Sequence, residues 1–316
     1  MTWRQYRIAF RLLSSMHIGY RKVGNLMQTR YYVPARNLWA ALTARITRDC
    51  GRGCNGNAYA KIGSNVGKYF RFGYFWPAIT CNGQSKVEKW DDLETFFSFP
   101  LDKKNCLHEL FPNPNQENPS LFDYLFLDSQ QGTAINQSNQ VAEEGSLHDI
   151  EFIAPYTRGL CKSVYLAGSI WVGENLPEDL AIWENSLRHI RIGGEQSYGW
   201  GRVEQVFCDS LEKCSIDPDD FEWYGHIPSH LIPSEKENNV QGEIEPIVGW
   251  QTQIDSSQKI GEATIALIPG SLIRTEKAKF AIGEMGIWKR NRVKFKRFKD
   301  RKTIPENQNQ VESAES

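Results

Sequence analysis

The chain has 316 residues, enough to bury a sizeable core in one elaborated domain or two ordinary ones, and its 37 basic residues stand against 38 acidic ones. That balance neither requires nor excludes a polyanionic partner, so the distribution of charge has to carry any such argument. No stretch approaches the apolar length of a membrane span, Met1 to Leu13 lacks the apolar run of a signal peptide, and the seven cysteines at irregular spacing read as reduced thiols, which predicts a cytoplasmic protein with no disulfides and no membrane partner.

Tyr6, Ile8, Phe10 and Leu12 alternate with Gln5, Arg7, Ala9 and Arg11, the period of a strand with one buried face. Leu38, Trp39, Leu42 and Ile46 then fall at helical spacing behind Pro34, predicting a helix from Arg36 to Ile46. Between Asp49 and Thr157, clusters of Gly, Asn, Pro and Gln break the pattern and predict a long insertion around one strand, in which Phe70, Phe72, Tyr74 and Trp76 alternate. Its polar stretch Gln130 to Gly145 reads as a mobile loop. Ser163 to Val172 reads as a strand, Glu178 to Ile190 as an amphipathic helix, and Gly201 to Phe207 as a further strand.

This order predicts an α+β protein: a ferredoxin-like (RRM-like) βαββαβ module over residues 1–208, with its insertion at about 50–157. Residues 209–302, with strand-like pieces at Thr264 to Ile268 and Lys279 to Ile282 and a basic end, predict a smaller β-rich module, and 303–316 a disordered tail.

Chemistry concentrates in two connections. The segment Arg191 to Arg202 has glycines at 193, 194, 199 and 201, which permit positive φ and close backbone approach, while Gln196, Ser197 and exposed amides are able to donate to phosphate. Tyr198, Trp200 and Arg202 add the aromatic and guanidinium groups that stack on and neutralise single-stranded RNA. The competing reading is a tight turn whose glycines only solve a packing problem. A dinucleotide-binding reading fails, because that fingerprint leads from a strand into a helix and this loop is expected to leave a helix, so no cofactor is predicted.

The second connection, from the first strand to the first helix, gathers Arg21, Lys22, Arg30 and Arg36 beside Tyr20, Tyr31 and Tyr32, the composition of an RNA-backbone site. The competing reading packs the tyrosines under the helix and leaves the arginines solvated. Cys50 and Cys54, with distant Cys81, Cys106 and His108, give only a weak zinc signal, because no paired CxxC repeat is present. The run Lys289 to Lys302 alternates basic residues with Val293, Phe295 and Phe298 and is expected to add salt-dependent RNA affinity.

Met16-His17-Ile18-Gly19, then Val33-Pro34-Ala35-Arg36-Asn37-Leu38-Trp39-Ala40-Ala41-Leu42, then Ile192-Gly193-Gly194-Glu195-Gln196-Ser197-Tyr198-Gly199-Trp200-Gly201-Arg202, in this order, resemble the RAMP superfamily of CRISPR-associated (Cas) proteins. Glu245 to Trp250, Ile268 to Ser271 and the Gly283-Glu284 turn resemble the subunit that caps the 5′ handle of guide RNA in type III effector complexes, closest to its III-D form. The resemblance implies RNA binding in antiviral defence, with guide RNA (crRNA) and other Cas subunits of a type III complex as partners. It would set Arg21, Lys22, Arg30, Tyr31 and Arg36, and Gly193, Gly194, Gln196, Ser197, Tyr198, Gly199, Trp200, Gly201 and Arg202, near the handle. Subunits of the superfamily that cut target RNA use an aspartate in the first strand-to-helix loop, and Gly19 to Tyr32 contain no acidic residue, so no enzymatic activity is expected. Two alternatives stay open: a metal-independent guide-processing endonuclease with His17 as general base, and a structural assembly subunit.

Overall fold

The computed structural model describes residues 2–51, 56–81, 86–97, 121–136, 138, 140–211, 216–233, 240–252, 258–261 and 263–290. In chain order they form strands β1 (Trp3–Leu12), β2 (Gly19–Val23) and β3 (Leu26–Thr29), helices α1 (Ala35–Asp49) and α2 (Gly56–Tyr69), and strands β4 (Phe70–Phe72), β5 (Trp76–Thr80) and β6 (Leu93–Thr95). Next come helix α3 (Leu121–Phe126), strands β7 (Leu127–Gly132), β8 (Ile135–Asn136), β9 (Val141–Ala142), β10 (His148–Ile153) and β11 (Tyr165–Gly173), helix α4 (Trp183–Leu187), and strands β12 (His189–Arg191) and β13 (Arg202–Leu211). The remaining strands are β14 (Phe221–His226), β15 (Val240–Gln241), β16 (Ile244–Ile247), β17 (Trp250–Thr252), β18 (Gln258–Ile260), β19 (Thr264–Leu267), β20 (Leu272–Ile282) and β21 (Trp288–Arg290).

The protein is α+β, with mostly antiparallel sheets and few helices. Its central sheet has the order β12-β13-β1-β11-β5-β6, with β4 also paired to β11. On β1 Gln5 and Ala9 are buried as well as the expected stripe, in which Ile8, Phe10 and Leu12 are buried against Leu38, Leu42 and Ile46 of α1 and Phe70 and Phe72 of β4. Each such side chain contributes about 1.5–3 kcal/mol when fully buried, so this stripe decides the register of β1 against both its neighbours.

Several segments differ from the sequence expectation, among them the strand expected through Phe70, Phe72, Tyr74 and Trp76, which is divided into β4 and β5 behind the unexpected helix α2. The basic connection is not an open loop but the hairpin β2–β3, closed by Gly24 at φ +60° and Asn25; a Gly-Asn pair is a two-residue hairpin signal. The stretch from Gln130 to Gly145, expected as a mobile loop, carries the end of β7 and the β8–β9 pair, and β7 closes the sheet β2-β3-β10-β7. The helix expected from Glu178 to Ile190 is only a 3-10 turn and the short α4, because His189 to Arg191 pair with Arg202 to Glu204 instead.

A second cluster of buried apolar residues gathers Phe221, Ile227, Leu231, Ile273, Phe280 and Trp288 on the sheet β14-β20-β15, with Trp171 of β11 reaching into it. A polar interlock joins the two regions. Arg30, just after β3, pairs with Glu245 of β16 at 2.7 Å and donates to the Tyr32 hydroxyl at 3.0 Å. Glu245 also accepts from Nε2 of His230, whose Nδ1 lies 2.5 Å from the Tyr74 hydroxyl. An ionised carboxylate only accepts, so Nε2 carries the ring proton and neutral Nδ1 takes the tyrosine proton in a hydrogen bond.

Burial holds His230 below its ordinary 6.5, against the pull of Glu245. Burial alone would raise Glu245, but its hydrogen bonds from His230 and Arg30 bring it below 4.5. Both depressed values mean that the folded protein binds fewer protons than the unfolded chain, so stability is present above those ordinary values and is lost on acidification. The urea midpoint should therefore fall as pH drops from about 7 to about 5, and a midpoint that rose would contradict the interlock. Glu245→Ala, which strands a buried guanidinium, should cost about 3–5 kcal/mol, against less than about 1 kcal/mol for Arg11→Ala in the exposed pair with Glu204.

Candidate nucleic-acid interface

The glycine-rich connection runs between two paired strands, β12 and β13, not from a helix as expected. It is stitched to the chain that leaves β1: the Gly194 amide donates to the His17 carbonyl at 2.9 Å, the Gly201 amide to the Ser15 carbonyl at 2.7 Å, and the Leu13 amide to the Arg202 carbonyl at 2.9 Å. Gly193 sits at φ +93° and a Cβ there would lie 2.4 Å from the His17 oxygen; Gly201 sits at φ +74° with the Ile192 oxygen 2.1 Å from its Cβ position. These two glycines are required by close backbone approach, as the packing reading held.

That stitching occupies part of the expected phosphate cradle. The amides of Tyr198 and Gly199 also donate within the loop, to Glu195 and Gln196, and Trp200 makes a longer contact with Glu195. The Gln196 side-chain amide turns inward to the Gly193 carbonyl at 2.9 Å. The loop therefore offers side chains to a ligand more than backbone: Ser197 is exposed, and Tyr198 is 79% exposed at the apex beside Gly199. Trp200 is half-buried and meets Phe152 of β10 edge-on at 5.0 Å, which ties the loop to the second sheet.

Beside this loop lies a cleft of about 390 Å³, walled by Arg45 and Arg48 of α1, His189 and Arg191 of β12, and Arg202 of β13, over a floor that includes Leu13, Ala41 and Val203. Arg45 is partly neutralised by Asp49 at 2.9 Å and donates to the His189 carbonyl at 3.2 Å. Arg48, Arg191 and Arg202 are exposed and make no ion pair among the described residues. Guanidinium groups converging on one concavity give it a positive potential and the planar donor forks that match phosphate oxygens. Of these residues only Arg202 was selected from sequence. Ala41, Ala44, Arg45 and Arg48 form a small-and-basic stripe at helical spacing, the signal that would have found the α1 wall.

The other selected residues divide. Arg21 and Lys22 are exposed on β2, Arg21 donating to Gln28 at 2.6 Å. Arg30 is committed to Glu245 and Tyr32, so its expected direct phosphate contact is replaced by a structural ion pair. Tyr31 stacks on Phe122 at 5.1 Å, and burial together with Asp123 raises its hydroxyl pKa; it is packed, not offered. Arg36 is half-buried, its Cζ 2.8 Å from the Cβ position of Gly249.

His17 is 8% exposed, with Nδ1 2.7 Å from the Glu151 carbonyl. Cys50 is half-buried, its Sγ 3.8 Å from the Asp179 carbonyl. Cys54, Cys106, His108, residues 291–302 of the basic run and the tail 303–316 lie outside the described residues. Among the described residues no three His, Cys, Asp or Glu side chains gather as a metal site, and no helix is long and apolar enough to cross a membrane.

The family model described as the RAMP superfamily matches residues 9–204. No curated protein matches the chain in sequence. Among solved structures, a chain of the type III-B Cmr-beta complex bound to cognate target RNA and AMPPnP is 12% identical with a TM-score of 0.47, the match covering 85% of this chain and 86% of that one. A chain of a type IV-B CRISPR complex is 8% identical with a TM-score of 0.35, covering 67% of this chain and 92% of that one.

Alanine substitutions should separate the two kinds of glycine. Gly199→Ala meets open space and should cost only the left-handed strain, about 1–2 kcal/mol, whereas Gly201→Ala adds a backbone clash and should cost more than about 3 kcal/mol by urea denaturation.

Proposed function

The chain belongs to the RAMP superfamily, and from that premise we propose that it is an RNA-binding subunit of a type III CRISPR ribonucleoprotein effector that holds the 5′ handle of the guide RNA without cutting it. The observation that carries this reading is the cleft of Arg45, Arg48, Arg191 and Arg202 beside the exposed Tyr198. Guanidinium groups hold successive phosphates while an aromatic side chain receives a splayed base, the combination used to bind single-stranded RNA. Sequence readout at the handle then comes from exposed side chains, since the amides of Gly194, Tyr198, Gly199 and Gly201 have backbone partners. The other Cas subunits of the complex are the protein partners of this reading, and the cytoplasm is its place of action.

We read the four strands in the order β13-β1-β11-β5, with helical connections after β1 and β11, as the expected ferredoxin-like module. In this reading the sheet fixes β1, and β1 delivers the glycine loop and α1 to the two sides of the cleft.

Two observations favour positioning over cleavage. Residues 19–32 hold no acidic side chain, so the aspartate that the family resemblance associates with target cutting has no counterpart there. His17 is buried, with its Nδ1 held by the Glu151 carbonyl and its own carbonyl held by Gly194, the pattern of a hydrogen-bonded structural histidine.

Purified protein mixed with labelled repeat RNA in the absence of divalent metal should bind it intact. The combined variant Arg48→Ala, Arg191→Ala and Arg202→Ala should lose at least about tenfold in affinity and flatten the plot of log K against log salt by about 2, roughly 0.7 per lost single-strand phosphate contact. Cutting within the repeat that disappears in His17→Ala would replace this reading with a guide-processing nuclease.

A further inference from the structure

Of the three tyrosines between β1 and α1, two are packed against other rings. Tyr31 lies against Phe122, and Tyr32, 8% exposed, is wedged between Tyr74 at 5.4 Å and Trp76 at 4.8 Å. Tyr20 is different: it is 45% exposed on β2, the outer strand of its sheet, with exposed Arg21 and Lys22 following it.

Its ring is also braced. The Arg30 guanidinium carbon lies 4.8 Å from the ring centroid and that of Arg21 lies 5.2 Å away. Arg30 is itself fixed by Glu245 at 2.7 Å and the Tyr32 hydroxyl at 3.0 Å, so the group behind Tyr20 stays in place without being ordered by a ligand. An aromatic ring held in position by a cation loses little side-chain entropy when a second flat group stacks on it.

We propose that Tyr20 is a stacking platform for one unpaired base of the bound RNA, that Arg21 and Lys22 take the flanking phosphates, and that Arg30, held by Glu245, is a positioning residue for the platform. The proposal rests on the RNA-binding reading above and names a base subsite distinct from the arginine cleft. His17 relates the two: its ring lies 3.7 Å from the Cβ position of Gly19, next to Tyr20, and its carbonyl holds Gly194 of the glycine loop. The sequence distance between Arg30 and Glu245 gives the C-terminal strands a role in this site, because they fix the guanidinium behind the platform.

The test substitutes 2-aminopurine, one position at a time, through the 5′ handle of a repeat RNA and reads fluorescence and Kd with the full chain. Besides the position received by Tyr198, one further position should be quenched by the wild-type protein. Tyr20→Ala should abolish that quench and raise Kd about tenfold, within the range measured for single base–aromatic stacks, while Tyr20→Phe keeps both. Glu245→Gln, which preserves the side-chain shape and is checked for folding by circular dichroism, should weaken the quench at the same position and no other. A Tyr20→Ala protein with unchanged quench and Kd, while the triple arginine variant binds weakly, would overturn the platform and leave the RNA-binding reading standing. Wild-type protein that binds no RNA would overturn both.

Discussion

Two main-chain carbonyls, those of Ser15 and His17, hold the site together. They accept the amides of Gly201 and Gly194, and a Cβ has no room at Gly193 against the His17 carbonyl or at Gly201 against the Ile192 carbonyl. Because the loop is fastened at both ends, Arg191 and Arg202 emerge at fixed places on β12 and β13, facing Arg45 and Arg48 on α1. Pre-positioned charges bind a flexible polyanion better than mobile ones, since the ordering cost falls on the ligand alone. The same fastening reaches the second sheet, where Glu151 holds the His17 ring and Phe152 receives Trp200.

A second constraint works at longer range. Glu245 is nearly enclosed and carries a charge that, among the described residues, Arg30 balances, while neutral His230 donates a further hydrogen bond to it and accepts one from Tyr74. A half-satisfied network of this kind is worse than an apolar contact, so the described C-terminal strands are coupled energetically to the β2–β3 hairpin and are not simply appended to it. Trp171 adds an apolar tie, since it sits on β11 of the central sheet yet packs in the second cluster, with its indole nitrogen donating to the Ile216 carbonyl at 2.8 Å.

The elements that were legible in the sequence are those whose burial is periodic or nearly continuous. Strand β1 carries a partial alternation, β11 is a nearly continuous buried run and helix α1 has helical spacing, and the apolar positions Leu180, Trp183 and Leu187 are buried as expected even though their helix is cut short by strand pairing. Helix α2 escaped because its buried Ile62 and Val66 stand among glycines and small residues that read as an interrupted loop. The site was half legible. Composition located the glycine loop and the basic hairpin, but it does not say whether an amide already has a partner, and those of Gly194, Tyr198, Gly199 and Gly201 do. Nor does it show that Arg30 meets a carboxylate 215 positions away, which converts an apparent phosphate ligand into a brace.

In the proposed complex, RNA lies along the glycine loop, the arginine cleft and the β2 strand. Photo-crosslinking of a 4-thiouridine-containing repeat RNA to the full chain, with the attachment points mapped by mass spectrometry, tests that claim most directly. Crosslinks are expected within residues 19–22, 45–48 and 191–202. Crosslinks confined to the C-terminal strands beyond residue 216, with none at those three segments, would contradict it.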